Sequence, residues 1–203
     1  MSVDASSLVI LAAAWSGYCA LHSLLITPSL TRFLKTRMGY GYRFYRLIYN
    51  VLAVLLLLPL LAFTYSLRGE PLYRWEGMWV VVQWTMVGVS LYLFAAGARK
   101  YSMSSFLGLH QLRRQSTRNL INHSGKLDTT GILGVVRHPF YAAIFPLIWS
   151  RNADEATLVV NVVLTLYTII GTRLEERKLI AEFGDEYRQY QKKVGMFFPK
   201  IRF

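Results

Sequence analysis

The stretch GILGVVRHPFY, residues 131–141, marks the point where a polar segment turns into an apolar helix. Pro139 predicts the start of that helix, because proline in a first turn loses no hydrogen bond and its fixed φ already suits the helix. Arg137 and His138 then lie at the mouth of the helix, where unpaired backbone N–H groups and the helix dipole favour an anionic group. Taken alone, a basic residue in this place is more often a membrane anchor than a binding residue.

The composition predicts an integral membrane protein. Of its 203 residues 54% are hydrophobic and 14% are aromatic, which is too apolar for a soluble domain that carries a net charge of +12. The Lys and Arg residues lie between long apolar runs instead of along one polar face, which argues against nucleic-acid binding. Cys19 is the single cysteine and lies in an apolar run, so neither a disulfide framework nor a metal site is expected.

Five apolar runs predict an all-α protein with one domain over residues 1–203. The transmembrane helices are expected at residues 7–26, 47–67, 77–98, 135–149 and 156–172. The first three are long enough for a hydrocarbon core of about 30 Å at about 1.5 Å per residue. The last two are shorter and predict a tight helical hairpin.

The segments between these runs are polar. Residues 27–46 are expected to form a basic connection that Gly39 and Gly41 break, and residues 99–136 to form short amphipathic pieces on the membrane surface. Residues 173–193 predict an amphipathic helix outside the membrane.

The distribution of basic residues predicts the orientation. If the five spans alternate, all but three of the 23 Lys and Arg residues lie on one face, the exceptions being Arg68, Arg74 and Arg151. By the positive-inside rule that face is cytoplasmic, with the N-terminus outside and the C-terminus inside a membrane of the bacterial inner-membrane type.

Polar side chains from separated parts of the chain are expected to meet on the cytoplasmic face. Glu175 and Glu176 can accept hydrogen bonds from hydroxyl or ammonium groups, but they could also be ordinary first-turn acids of a helix. His22 is a candidate because a polar ring inside a span must find a partner there, although a neighbouring helix could satisfy it. His110 and His123 could be exposed loop histidines. The spacing of the four histidines is not that of metal ligands, so no metal is expected.

Two groups of motifs resemble known families. The run RHPFY at 137–141, followed by RLEE at 173–176 and FGDEYRQY at 183–190, resembles the signature of the isoprenylcysteine carboxyl methyltransferase and phospholipid methyltransferase superfamily. The earlier runs LHSLL at 21–25, YRLIYN at 45–50 and FLGLHQL at 106–112 are similar to NnrU-type proteins and to bacterial methanethiol S-methyltransferases.

The resemblance implies a membrane methyltransferase with a cytoplasmic S-adenosylmethionine pocket capped by the C-terminal segment. Its acceptor would be a small thiol or another lipophilic molecule, and an acceptor thiol must react as the thiolate. Arg137, His22 and His110 are the expected catalytic residues. The cofactor-binding residues implied are Gly131, Arg137, His138, Pro139, Tyr141, Glu175 and Glu176.

Other functions remain open at this point. The chain could methylate an isoprenylcysteine carboxyl group or a phospholipid, or it could be a non-catalytic NnrU-like accessory protein that keeps only the fold. A small transporter is less favoured, because only Asn50, Gln83 and Asn161 approach the middle of the membrane. The expected partners are the lipid bilayer and a small-molecule or lipid-like substrate, without nucleic acid.

Overall fold

A computed structural model of the protein describes residues 3–100 and 127–200. These residues form seven α-helices and two 3-10 turns, and no named strand lies among them. The helices are α1 Ala5–Leu25, α2 Pro28–Met38, α3 Tyr45–Ser66, α4 Trp79–Ala98, α5 Pro139–Trp149, α6 Glu155–Phe183 and α7 Asp185–Lys193, and the 3-10 turns are Gly39–Phe44 and Gly131–Gly134. The predicted all-α class is confirmed for this part of the chain.

Four helical stretches are long and apolar enough to cross a membrane. They are Ala5–Leu25, Pro28–Ser66, Trp79–Ala98 and Glu155–Phe183, and the second of them contains both α2 and α3. Helix α5 is apolar but shorter. The protein is therefore an integral membrane helical protein, whereas five spans and their orientation stay predictions.

The first three predicted spans begin and end within two residues of the expected bounds, and one further helix, α2, lies between the first two. Residues 27–46 were expected as a broken connection, but Thr27 caps a regular helix, α2, by accepting a hydrogen bond from Leu30 N. Helix α4 starts at Trp79 instead of residue 77, because Gly77 has φ 57°, a left-handed conformation that does not continue a helix.

The helix at the RHP motif is shorter than predicted. It was expected from residue 135, but Val135 follows a 3-10 turn and Val136 forms a parallel bridge with Gly195. His138 has φ −127° and ψ 70°, so the helix begins only at Pro139. Proline excludes the helical conformation at the residue before it, which explains the difference.

The C-terminal helix also differs from the prediction. A separate helix was expected at residues 173–193, but α6 continues without a break from Glu155 to Phe183. The interruption comes at Gly184, whose φ of 56° ends the helix before α7. Glu175 and Glu176 consequently lie in the interior of a long helix, so the alternative that they are first-turn acids is wrong.

The described residues divide into two compact units, and the single domain over 1–203 stays a prediction. The first unit holds residues 3–72 and 153–163, and the second holds 73–100, 127–152 and 164–200. In the first unit α1 packs on α3, with Leu11, Trp15 and Cys19 buried. Trp15 Nε1 donates to Thr64 Oγ1 over 2.9 Å, which satisfies a polar group buried between the two helices.

In the second unit small side chains bring α4 and α5 close together. Ser90 Oγ donates to the carbonyl of Ala143 over 2.8 Å, and a Cβ on Gly97 would lie 3.3 Å from the ring of Phe140. Small residues at helix contacts of this kind let two backbones approach in a membrane. The position of α5 in turn fixes the two residues before it, Arg137 and His138.

A second cluster of the same unit joins α6 to α7. Its buried members are Leu179, Tyr187, Tyr190 and Val194, with Leu127, Ile180 and Phe183 packed against them. The cluster folds α7 back onto the end of α6 and so brings the C-terminal segment to the RHP motif.

Candidate functional site

The site is built from three elements of the second unit. Arg137 and His138 precede α5, Glu176 lies in α6, and Tyr187 and Gln191 lie on α7. Tyr187 and Gln191 are four residues apart in one helix, so they project from the same face. The other four side chains all contact the Glu176 carboxylate.

Arg137 and Glu176 form the centre of the site. Arg137 Nη2 lies 2.6 Å from Glu176 Oε1, and Nε donates to the same oxygen over 2.7 Å. The side chains are only 7% and 9% exposed. A buried charge requires a partner, and this pair supplies it for both groups.

Glu176 accepts from further donors around it. Tyr187 OH donates to Oε1 over 3.2 Å, and Gln191 Nε2 donates to Oε2 over 3.0 Å. His138 Nε2 lies 3.3 Å from Oε1. Both carboxylate oxygens are thus engaged, so Glu176 organises the side chains around it.

Tyr187 is held in its neutral form. Burial raises the pKa of its phenol, and the negative charge of Glu176 raises it further. Since the phenol keeps its proton, it serves Glu176 as a permanent hydrogen-bond donor.

Arg137 also ties down the C-terminal segment. Its Nη1 donates to the carbonyl of Gln191 over 3.2 Å and to the carbonyl of Val194. Its backbone N–H donates to Gly195 O over 2.9 Å, and that of His138 to Met196 O over 3.2 Å. The residues after α7 therefore lie directly against the RHP motif.

Of the remaining predicted residues of this unit, Glu175 and Tyr141 lie beside His138. Glu175 has a side chain that is 35% exposed, and its Oε2 lies 4.0 Å from His138 Nδ1. The rings of His138 and Tyr141 have centroids 5.8 Å apart. Pro139 is fully buried at the first position of α5. Gly131 has φ 62° at the start of a 3-10 turn, a conformation that by itself accounts for glycine there.

His22 lies in the first unit, where it contacts α3. Its Nε2 lies 2.8 Å from the hydroxyl of Tyr49, so a neighbouring helix does satisfy the ring. A small cavity of about 10 Å³, about the room for one water molecule, lies beside it. The cavity is lined by Tyr18, Leu21, His22, Leu25, Tyr49, Ala53 and Leu56. His110 and His123 lie outside the described residues.

Sequence reasoning did not assign a site role to Tyr187, to Gln191 or to the carbonyl groups of residues 191–196. The spacing of Tyr187 and Gln191 carried a usable signal, because a tyrosine and a glutamine on one helix face can both donate to a facing carboxylate. The backbone carbonyls carried no signal, since every residue has one.

The comparisons with known proteins agree with the earlier resemblance. The sequence model of the NnrU protein family matches residues 10–200. Methanethiol S-methyltransferase 1 of Bradyrhizobium diazoefficiens is 33% identical over 153 residues, which cover 70% of this chain and 51% of that protein. The methanethiol S-methyltransferase of Pseudomonas deceptionensis is 41% identical over 79 residues, 38% of this chain and 30% of that protein.

A eukaryotic relative matches as well. The protein-S-isoprenylcysteine O-methyltransferase of Schizosaccharomyces pombe is 36% identical over 86 residues, which cover 39% of this chain and 36% of that protein. The chain spans about half or less of the length of these curated relatives. No solved structure matches it. Since the family match extends over nearly the whole chain, the chain belongs to the NnrU protein family.

Proposed function

We propose that the protein is a membrane methyltransferase that takes a methyl group from S-adenosylmethionine and transfers it to a small thiol or another lipophilic acceptor. One observation carries the proposal: the two parts of the signature, 39 residues apart in the chain, meet in the Arg137–Glu176 pair. The methanethiol S-methyltransferases among the relatives support a thiol acceptor.

The side chains around this pair fit the cofactor. Glu175 is partly exposed and can accept from an ammonium group or from ribose hydroxyls. The ring of Tyr141 suits a sulfonium cation, and the start of α5 at Pro139 suits a carboxylate. Arg137 already donates to Glu176 and to backbone carbonyls, so we assign it the task of holding the pocket together.

Bound S-adenosylmethionine supplies a methyl group activated by its sulfonium. The protein then has to align donor and acceptor and exclude water. We propose that the C-terminal segment, which Arg137 holds in place, excludes the water. An acceptor thiol must lose its proton before it attacks, and His22 is the group that we propose takes this proton. His110 stays a second possibility.

A second acceptor class is favoured by one of the relatives. The similarity to the Schizosaccharomyces pombe isoprenylcysteine O-methyltransferase supports a carboxylate acceptor on a prenylated cysteine. Such a carboxylate is already ionised, so it would need positioning by a cation and no base. The two classes therefore differ in whether His22 is required.

In the topology that we propose, the site faces the cytoplasm, where S-adenosylmethionine is made. We propose five spans, with α5 as the shortest, and the basic face in the cytoplasm. Two variants without Cys19, one with Arg74→Cys and one with Lys192→Cys, each carry a single cysteine. A membrane-impermeant thiol reagent should then label these two cysteines from opposite sides of the membrane. Labelling of both from one side contradicts this topology.

Calorimetric binding of S-adenosylmethionine and S-adenosylhomocysteine to the detergent-purified protein tests the function. Binding, followed by methyl transfer in a screen of methanethiol, prenylcysteine and phospholipid, is the expected result. A folded protein that binds neither compound contradicts the proposal and favours an accessory protein.

A further inference from the structure

Helix α2 and the 3-10 turn after it expose aromatic and basic side chains next to one another. Neither element contains a buried residue. Phe33, Tyr40 and Phe44 are 54%, 64% and 39% exposed. We call Phe33, Arg37, Tyr40, Arg43 and Phe44 the α2 surface; Arg43 is partly exposed and the other four are exposed.

The α2 surface pairs its aromatic rings with arginines. The Arg37 guanidinium carbon lies 5.5 Å from the centre of the Phe33 ring, and that of Arg43 lies 4.0 Å from Tyr40 and 4.5 Å from Phe44. Within the described residues, Arg43 Nε is buried and has no hydrogen-bond partner. Residues 27–46 contain further basic residues and no acidic one. The surface therefore carries positive charge that no acid of its own segment neutralises.

The α2 surface lies at the ends of two membrane-crossing helices. Helix α2 follows α1 after two residues, and the 3-10 turn leads directly into α3. Tyr45 OH donates to the carbonyl of Leu25 over 2.6 Å, which joins the end of α1 to the start of α3. The surface consequently lies at the boundary between hydrocarbon and water, where aromatic rings occupy the headgroup level.

We propose that the α2 surface binds the headgroups of anionic phospholipids in the adjoining leaflet. Its rings enter the headgroup layer, and the guanidinium groups that they orient donate to lipid phosphates, which arginine can hold in a bidentate manner. A basic cluster next to a span is attracted to anionic lipid by about 1 kcal/mol per residue. The exposed rings and the position beside two spans favour lipid over a soluble acidic partner. This inference is independent of the proposed methyl transfer.

Native mass spectrometry of the detergent-purified chain, titrated with phosphatidylglycerol and with phosphatidylcholine, tests the proposal. The wild-type chain should bind phosphatidylglycerol more tightly. Replacing Arg37→Gln together with Arg43→Gln should weaken phosphatidylglycerol binding about 25-fold, the factor that corresponds to about 1 kcal/mol for each arginine. Arg37→Lys with Arg43→Lys should retain only part of the preference, because the charge remains but the bidentate contact with phosphate is lost.

Arg68→Gln with Arg74→Gln is the matched control. It removes the same charge, and Arg68 likewise lies over a ring, 5.1 Å from Tyr65, but it follows the other end of α3. This control should bind phosphatidylglycerol like the wild type. If the control loses phosphatidylglycerol binding to the same extent, only the net charge of the chain matters. If the wild-type chain does not prefer phosphatidylglycerol to phosphatidylcholine, the α2 surface does not bind anionic lipid and a protein partner is the remaining occupant. Either result overturns the proposal.

Discussion

Glu176 Oε1 lies 2.6 Å from Arg137 Nη2 in an ion pair that is almost completely buried, while the neighbouring Glu175 keeps a side chain that is 35% exposed. Two adjacent residues of one helix point in different directions, which gives two glutamates of the same motif different environments. Glu176 is saturated by protein donors, so it stabilises the site. Glu175 is the one that remains accessible to a ligand.

Glu176→Gln should destabilise the protein strongly. The change leaves the Arg137 guanidinium buried without its counter-charge, and breaking such a pair costs about 3–5 kcal/mol. Thermal unfolding in detergent should show a large decrease in Tm. An unchanged Tm would mean that water reaches Arg137 and that the pair is not closed.

Glu175→Gln is the matched comparison for that change. It alters the same chemical group one residue away but breaks no buried pair, so Tm should stay close to that of the wild type. Affinity for S-adenosylmethionine, measured by calorimetry, should fall about tenfold, because a charge-assisted hydrogen bond is worth about 1.5–3 kcal/mol. Full affinity in this variant would remove Glu175 from the cofactor site.

The convergence of the RHP motif with the glutamate pair followed from the resemblance of the sequence to a known signature. The pattern of apolar runs also predicted most of the helices, because the length of a span and its lack of charge are properties of local sequence. Local sequence did not distinguish Glu175 from Glu176. That distinction depends on the rotation of α6 against α7, which long-range packing around Tyr187 and Tyr190 determines.

The start of the fourth predicted span shows the same limit. Val135 and Val136 are apolar and extend the hydrophobic run, but Val136 pairs with Gly195, which lies 59 positions later in the sequence. Hydropathy reports which residues avoid water and does not report their backbone partner. Val136 therefore holds the C-terminal segment through its backbone.

Arg137→Lys should impair the site while membrane insertion stays normal. Lysine keeps the charge, but its single nitrogen cannot reach both Glu176 and the two carbonyls, which Arg137 contacts through different guanidinium nitrogens. We expect a lower Tm and faster proteolysis of the residues after α7. A variant with wild-type stability and cofactor affinity would return Arg137 to the role of a simple membrane anchor.

Tyr187 gives the site a defined response to alkaline pH. Its pKa is raised in the folded protein, so the unfolded chain ionises first as the pH increases. The contribution of Tyr187 to stability is thus fully present below about pH 10, the ordinary tyrosine pKa, and is lost as the pH rises toward the folded value.

Tyr187→Phe should remove this response and cost about 1 kcal/mol at neutral pH, the value of a typical hydrogen bond. Ultraviolet difference titration of the wild type against the variant should show no phenolate from Tyr187 at about pH 10. Ionisation at that pH would mean that the ring is not closed off from water.

His22→Gln should separate the acceptor side of the reaction from the cofactor side. If His22 takes the proton of a thiol, kcat with methanethiol at neutral pH should fall about a hundredfold, the usual effect of a general base. Affinity for S-adenosylmethionine should not change. An undiminished kcat would show that His22 has no catalytic role and only forms its hydrogen bond with Tyr49. Loss of S-adenosylmethionine binding would instead assign His22 to the cofactor site.

Gly195→Ala tests whether the C-terminal segment must lie against the RHP motif. A Cβ at this position would lie 1.9 Å from the carbonyl oxygen of Phe198, so the backbone must move. That movement would withdraw the carbonyls that Arg137 N and His138 N contact at 2.9 Å and 3.2 Å. We expect the free energy of unfolding to fall by about 1–3 kcal/mol, the usual cost of overpacking, together with weaker cofactor binding.

Gly171→Ala is the control, since its Cβ meets no atom within 4 Å in the middle of α6. It should gain up to about 1 kcal/mol in helix stability. If both variants bind S-adenosylmethionine like the wild type, the C-terminal segment is not part of the cofactor site.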